Sequence, residues 1–197
     1  MWKAAATWFP SPQFANLFGI GVLAVLLADQ VVPWVMGSRG SLWGRNQDRG
    51  SFLGIYLGSL GGLAAGLFLR YRSIDVVPTW VQVAAMVVLV TGGFLREWAV
   101  YLLGRHFSRT VKVTVGQHLV TAGPYRRLRH PAYTGMILMD VAIVLALGTW
   151  IGALVMFIAL LIPTLYRIRV EEGVLEAAFG DQYLAWARRT WRLFPGW

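Results

Sequence analysis

The sequence predicts an all-α integral membrane protein of about five transmembrane helices with a polar cytoplasmic cap and C-terminal amphipathic helices. Three observations lead there. Of 197 residues, 57% are hydrophobic and only 14% charged. The apolar residues fall in long blocks, not in the alternation or narrow stripes of a soluble domain. The charges gather at the block ends, where they meet headgroups and water.

A membrane-spanning helix needs about 20 apolar residues, and the runs 14–36, 51–69 and 79–103 each reach that length. The nearly uncharged run 132–166 divides into two segments of about 16 to 17 residues, at the short limit for spanning, with Gly148-Thr149 as the turn between them. Beyond it, Val174, Leu175, Ala178 and Phe179, then Tyr183, Leu184 and Trp186, recur at helical spacing. Gly180 reads as a helix stop and Asp181 as an N-cap, giving two short amphipathic helices that lie on the membrane or fold as a lid. Residues 1–12 lead into the first apolar run with no small-residue cleavage site, so the first helix is expected to be retained. No linker, repeat or low-complexity tract intervenes. The whole of 1–197 reads as one membrane domain, with three helices in 1–104 and the chemistry-bearing residues in 105–197.

The net charge is +9, and the segment 105–129 holds Arg105, Arg109, Lys112, Arg126, Arg127 and Arg129 with no acid. The positive-inside rule places it in the cytoplasm. The loop 37–50, with Arg39, Arg45 and Arg49 against Asp48, falls on the same side, and 70–78 on the other. Cations at headgroup level suit anionic lipid better than nucleic acid. Glycines in 58–66 suit close helix packing. Arg96 and Glu97, Asp29 and Asp140 lie inside predicted spans, where ionisable groups must pair or line a hydrated cavity.

Several chemistries are disfavoured. Without cysteine there is no disulfide, thiolate metal site or thiol nucleophile. No Gly-x-Ser-x-Gly elbow, Gly-x-Gly-x-x-Gly fingerprint or Walker loop occurs. His106, His118 and His130 stand at twelve-residue intervals, without the close spacing that metal ligands on one helix show, so no metal site is expected.

Two polar clusters remain. His118-Leu119-Val120-Thr-Ala-Gly123-Pro-Tyr125 runs into Arg129-His130-Pro131-Ala-Tyr133-Thr-Gly135, and Arg167-Ile-Arg169-Val-Glu171-Glu172 follows the hairpin. Folding the hairpin back brings both clusters to one membrane face. They supply cations, imidazoles, carboxylates and aromatic rings but no built-in nucleophile, a set suited to group transfer between two bound substrates held in line and shielded from water.

These blocks, with Phe179-Gly180-x-x-Tyr183 and the late arginines before Pro195, resemble the isoprenylcysteine carboxyl methyltransferase family, integral-membrane enzymes that use S-adenosylmethionine. The resemblance covers about 96–195. It implies a cytoplasmic cofactor-binding cap in which His118, Leu119, Val120, Gly123, Tyr125, Arg129, His130, Pro131, Tyr133 and Glu171 hold S-adenosylmethionine, released as S-adenosylhomocysteine. It also implies a lipophilic acceptor, a carboxylate on a lipid-modified cysteine, which enters from the bilayer. Arg167 is expected to fix that carboxylate, and Glu172 or His130 to take a proton if the acceptor is an amine or thiol. The short Gly-Pro-Tyr and Arg-Ile-x-x-Glu-Glu forms look like compact prokaryotic members, hence a cytoplasmic membrane. Two rivals stand beside this reading: an NADPH-dependent membrane reductase of sterol or lipid double bonds, with Arg126-Arg127 for the extra phosphate, and a non-catalytic lipid-binding protein.

Overall fold

The computed structural model describes residues 9–35, 50–107 and 118–197. Every named element among them is helical: α1 Pro12–Val35, α2 Ser51–Tyr71, α3 Thr79–Leu103, α4 Pro131–Leu147, α5 Trp150–Phe179 and α6 Asp181–Ala187, with 3-10 turns at Gly104–His106 and Gly123–Arg126. Three helices are long and apolar enough to cross a membrane: Leu53–Tyr71, Thr79–Leu103 and Trp150–Phe179. Within α1 and in α4, the shorter apolar helices Gln13–Ala24 and Pro131–Leu147 accompany them. The basic loop 36–49, Arg109, Lys112 and the side chains of Asp29 and Arg105 lie outside the described residues.

The hairpin forms where the sequence places it. Gly148 ends α4 in the left-handed region at φ 100°, and the Thr149 side chain caps α5 by accepting from the Gly152 amide at 3.1 Å. Asp75, from the α2–α3 connection, completes the cap. Its carboxylate accepts from the Thr149 hydroxyl at 2.5 Å and the Ile151 amide at 2.6 Å, satisfying donors that a helix start leaves open.

Two boundaries differ from the sequence reading. α5 does not stop after the second apolar segment; it continues through the charged cluster to Phe179, so the first amphipathic stretch is its last turns and not a separate helix. Between Tyr166 and Phe179 only Gly173 disfavours a helix; a single interior glycine costs about 1 kcal/mol and does not end one, and a helix that leaves the bilayer tolerates polar residues. Gly180 does end it, at φ 50°, but Gly180 also precedes α6 as its cap residue, and Asp181 is the first helical residue with no capping hydrogen bond.

Packing follows two seams. α3 crosses α4 where glycine meets glycine: a Cβ at Gly135 would lie 2.6 Å from the Gly92 carbonyl oxygen and 2.7 Å from the Arg96 nitrogen. α2 lies against α5 through Gly54, Gly58, Gly62 and Gly66. A Cβ on Gly62 would come within 2.9 Å of the Met156 Cα, and one on Gly58 would collide with the Ala159 carbonyl oxygen. Pro163, four residues on, has no N–H to offer that carbonyl. Small residues let backbones approach where lipid gives no hydrophobic drive. The main core, with Ile137, Val144, Leu160, Ile168 and Leu193, fills the space between α4, α5 and the C-terminal segment.

Two substitutions one residue apart test the seam. A methyl group added at Gly61 would meet nothing within 4 Å, so Gly61→Ala should hold or raise the thermal unfolding midpoint in detergent. Gly62→Leu should cost about 1–3 kcal/mol and lower it.

Candidate active site

Four elements converge at the end of the bundle opposite Gly148: the start of α2, the loop before α4, the late turns of α5 and the chain after α6. The loop is fixed by backbone shape. Gly123 has φ 58°, and a Cβ there would lie 2.5 Å from Leu102, so the Gly-Pro-Tyr turn can press onto the end of α3. Pro131 opens α4 at its first position, where a missing N–H costs nothing.

The chain after α6 is then stitched to this loop. Trp191 N donates to Arg127 O at 2.9 Å, Arg129 N to Trp191 O at 2.7 Å and His130 N to Arg192 O at 3.1 Å. The Thr134 hydroxyl donates to Leu193 O at 2.7 Å. Leu193 itself is wholly buried in the main core.

Two polar networks result. In the first, Glu172 is the hub: Oε1 accepts from Arg129 Nη1 at 2.9 Å and Arg192 Nε at 3.3 Å and lies 3.3 Å from His130 Nε2, while Oε2 accepts from Arg192 Nη2 at 2.8 Å. In the second, Tyr133 is the hub. Its hydroxyl donates to Glu171 Oε2 at 2.7 Å and accepts from Arg167 Nε at 2.6 Å. Arg167 Nη1 also donates to the Ser51 hydroxyl at 3.2 Å. His130 and Tyr133 stack at 5.7 Å, so the two networks share a wall.

The sequence-predicted residues divide accordingly. Arg129, His130, Tyr133, Arg167, Glu171 and Glu172 come together. Pro131 sets the start of α4 above them. Leu119, Val120 and Tyr125 join a second core with Ala99, Val100, Tyr183 and Trp186. The Tyr125 hydroxyl donates to Ala99 O at 3.4 Å, and its carbonyl accepts from Trp186 Nε1 at 3.1 Å, which makes it a packing residue of this loop. His118 is exposed at the loop's edge. Glu172, expected with His130 as the alternative to take a proton if the acceptor is an amine or thiol, has both oxygens engaged by arginine donors and anchors Arg129, His130 and Arg192. Arg96 reaches the Ala132 carbonyl at 3.5 Å, and Asp140 accepts from the Ser59 hydroxyl at 3.0 Å, so each meets a neighbouring helix.

Ser51, Thr134, Tyr183 and Arg192 are what sequence reasoning missed as individual site residues. Arg192 carried a signal in its place before Pro195. Ser51 carried none, lying 116 residues from its partner.

The donor set fits an amino-acid-bearing nucleoside. Arg129 Nε and the Tyr183 hydroxyl are buried and make no close hydrogen bond among the described residues, although the Tyr183 hydroxyl stands beside Arg129 and Glu172; a carboxylate or ribose oxygen at the site's edge would engage both donors. Burial, and after it the Glu172 charge, push the Tyr183 phenol up to about 12, so it remains a protonated donor at working pH. Glu171, on the Tyr133 side of the site, is the residue that would pair with an ammonium.

Fold and site thus define a helical membrane bundle with a charged, partly buried polar site at one end. Residues 84–177 match the model of the isoprenylcysteine carboxyl methyltransferase (ICMT) family. The chain is 31% identical over 113 residues to protein-S-isoprenylcysteine O-methyltransferase B of Arabidopsis thaliana, covering 56% of this chain and 57% of that protein. It is 31% identical over 126 residues to the Schizosaccharomyces pombe protein-S-isoprenylcysteine O-methyltransferase, covering 62% and 53%. It therefore spans little more than half the length of these relatives. A solved structure of the eukaryotic intramembrane Ras methyltransferase ICMT superposes with a TM-score of 0.70 at 18% identity, over 96% of this chain and 70% of that one. That likeness establishes the fold, N-terminal helices included, and with the apolar helices it makes this an integral membrane protein.

Removing the hub tests its structural role. Glu172→Ala leaves Arg129 and His130 without their partner and should cost about 3 kcal/mol. Limited trypsin digestion should then cut at Arg188, Arg189 and Arg192 faster than in the unaltered chain; equal cleavage would mean that the C-terminal segment is held by its backbone bonds alone.

Proposed function

We propose that this protein is a methyltransferase that uses S-adenosylmethionine and acts at the membrane on a lipophilic acceptor, a carboxylate of the isoprenylcysteine type. The observation that carries the reading is the second network: Arg167, 3% exposed, held at Nε by Tyr133 and adjoining Glu171, at the point where α5 leaves the apolar bundle. A guanidinium there can receive an acid that arrives through the bilayer.

When bound, S-adenosylmethionine supplies an electrophilic methyl group on a sulfonium centre. Arg129 and Tyr183 are placed to receive its carboxylate and hydroxyl groups, and Glu171 its ammonium. Arg167 holds the acceptor carboxylate by charge-assisted hydrogen bonds. That acceptor is ionised at neutral pH, so no residue has to remove a proton from it. Held there, one of its oxygens would accept the methyl group that S-adenosylmethionine would supply, leaving a methyl ester and S-adenosylhomocysteine. The buried wall of His130, Tyr133 and Arg167 excludes water from the transfer.

In this reading five helices cross the membrane, the site end faces the cytoplasm as the positive-inside rule places the basic segment 105–129, and 1–197 is one domain. A prokaryotic cytoplasmic membrane suits the short Gly-Pro-Tyr and Arg-Ile-x-x-Glu-Glu forms. The acceptor is a lipid-modified molecule, and no nucleic acid partner is expected.

Calorimetry on the detergent-solubilised protein tests this. S-adenosylmethionine and S-adenosylhomocysteine should bind in the micromolar range, and Glu171→Ala should abolish both. Binding of NADPH in their place would move the protein to the reductases.

A further inference from the structure

The reaction proposed above uses residues of the C-terminal half, yet the geometry points to a contribution from α2. The α2–α5 seam is an antiparallel zipper with constant register. Gly66 lies against Gly152, Gly62 against Met156, Gly58 against Ala159 and Gly54 against Pro163. On α2, the positions 51, 54, 58 and 62 are spaced by three, four and four, which keeps them on one helical face. On α5, the matching positions 156, 159, 163 and 167 run along one face in the same way. One step further along both helices, the register puts residue 51 opposite residue 167. That is where the Ser51 hydroxyl accepts from Arg167 Nη1 at 3.2 Å, with Ser51 itself 2% exposed.

We propose that Ser51 is a positioning residue for Arg167, and that the glycine seam exists to deliver it. An arginine side chain has several rotatable bonds and would otherwise sample them. Tyr133 fixes Nε from α4, and Ser51 fixes Nη1 from α2, so the guanidinium plane is defined by two anchors on two different helices. A plane fixed in this way keeps the guanidinium in one orientation, which preorganises it for a carboxylate. The glycines matter to this because a Cβ at Gly58 or Gly62 would push α2 off α5 and carry the Ser51 hydroxyl out of reach. The matched family segment, 84–177, contains Arg167 and Tyr133 but not Ser51, so the second anchor comes from outside it. The three-helix N-terminal part is then a component of the acceptor site as well as a membrane anchor.

This inference rests on the methyltransferase reading, and the experiment keeps the two apart. The full chain in lipid nanodiscs is assayed for methyl transfer to an N-acetylated S-prenyl cysteine, with S-adenosylmethionine affinity measured separately by calorimetry. Ser51→Ala should lower kcat/KM for the acceptor about tenfold, the scale of losing one hydrogen bond to a charged group. Its affinity for S-adenosylmethionine should stay within about twofold, and Ser51→Thr, which keeps the hydroxyl, should recover most of the loss. An unchanged kcat/KM in Ser51→Ala would overturn the proposal, as would an equal loss in Ser51→Ala and Ser51→Thr together with weakened cofactor binding. A second measurement needs no substrate: the thermal unfolding midpoints of Ser51→Ala, Arg167→Lys and the double variant. Non-additive shifts are expected, and additive shifts overturn the pairing. Should the unaltered chain bind no S-adenosylmethionine, the methyltransferase reading falls, while this cycle still decides whether Ser51 holds Arg167.

Discussion

The carboxylate of Glu172 is the constraint on which the rest of the site depends. It lies near the end of a 30-residue helix and gathers Arg129, His130 and Arg192 from two separate stretches of chain. Without a negative charge at that place, Arg129 and Arg192 would face each other across one corner without their shared acceptor, which works against the main-chain stitching between Arg127–His130 and Trp191–Arg192. A buried ion pair often contributes little net stability, but removing one member is costly because the others remain desolvated. Glu172 therefore acts on the geometry of its neighbours more than on a substrate. Glu171, its neighbour in sequence, turns to Tyr133.

The bundle beneath is built to serve that corner. A short turn at Gly148-Thr149, locked by Asp75, makes α4 and α5 antiparallel, so the start of one and the end of the other meet. Glycines set how near the helices come. At Gly92 and Gly135 they bring α3 onto α4 close to the loop, and along 54–66 they bring α2 onto α5. In lipid, such contacts owe little to apolar burial and much to close backbone packing. Bilayer, glycine seams and charged hub thus act at three levels: the first orders the helices, the second sets their spacing, and the third joins the polar ends.

Much of this was legible in the sequence. The apolar blocks gave the bounds of α1 to α4 within about two residues, because hydropathy over about 20 residues is a strong signal. The hairpin was legible in Gly148-Thr149, and the meeting of Arg129-His130 with Glu171-Glu172 followed from folding it. Three features were hidden for physical reasons. The length of α5 was hidden because a polar cluster looks like an ending, although only Gly180 supplies one. The burial of Tyr125 was hidden because an aromatic residue in a Gly-Pro turn reads equally well as a ligand contact or as packing. Ser51 was hidden because its partner is distant in sequence, and only the register of two helices brings them together. The division of labour between Glu171 and Glu172 could not be read either, since adjacent helical residues point in different directions and sequence alone does not say which meets the arginines.

If one carboxylate organises the site, Glu172 and Arg192 act as a single unit in shaping its cofactor side. A double-substitution cycle on S-adenosylmethionine affinity addresses this most directly, with Glu172→Gln, Arg192→Gln and the two combined. Strong non-additivity is expected: each single change loosens Arg129 and His130, and the combined variant binds no worse than the poorer single one, a coupling of about 1–2 kcal/mol. Losses that simply add would mean that the two residues act independently, and would contradict a site organised around one carboxylate.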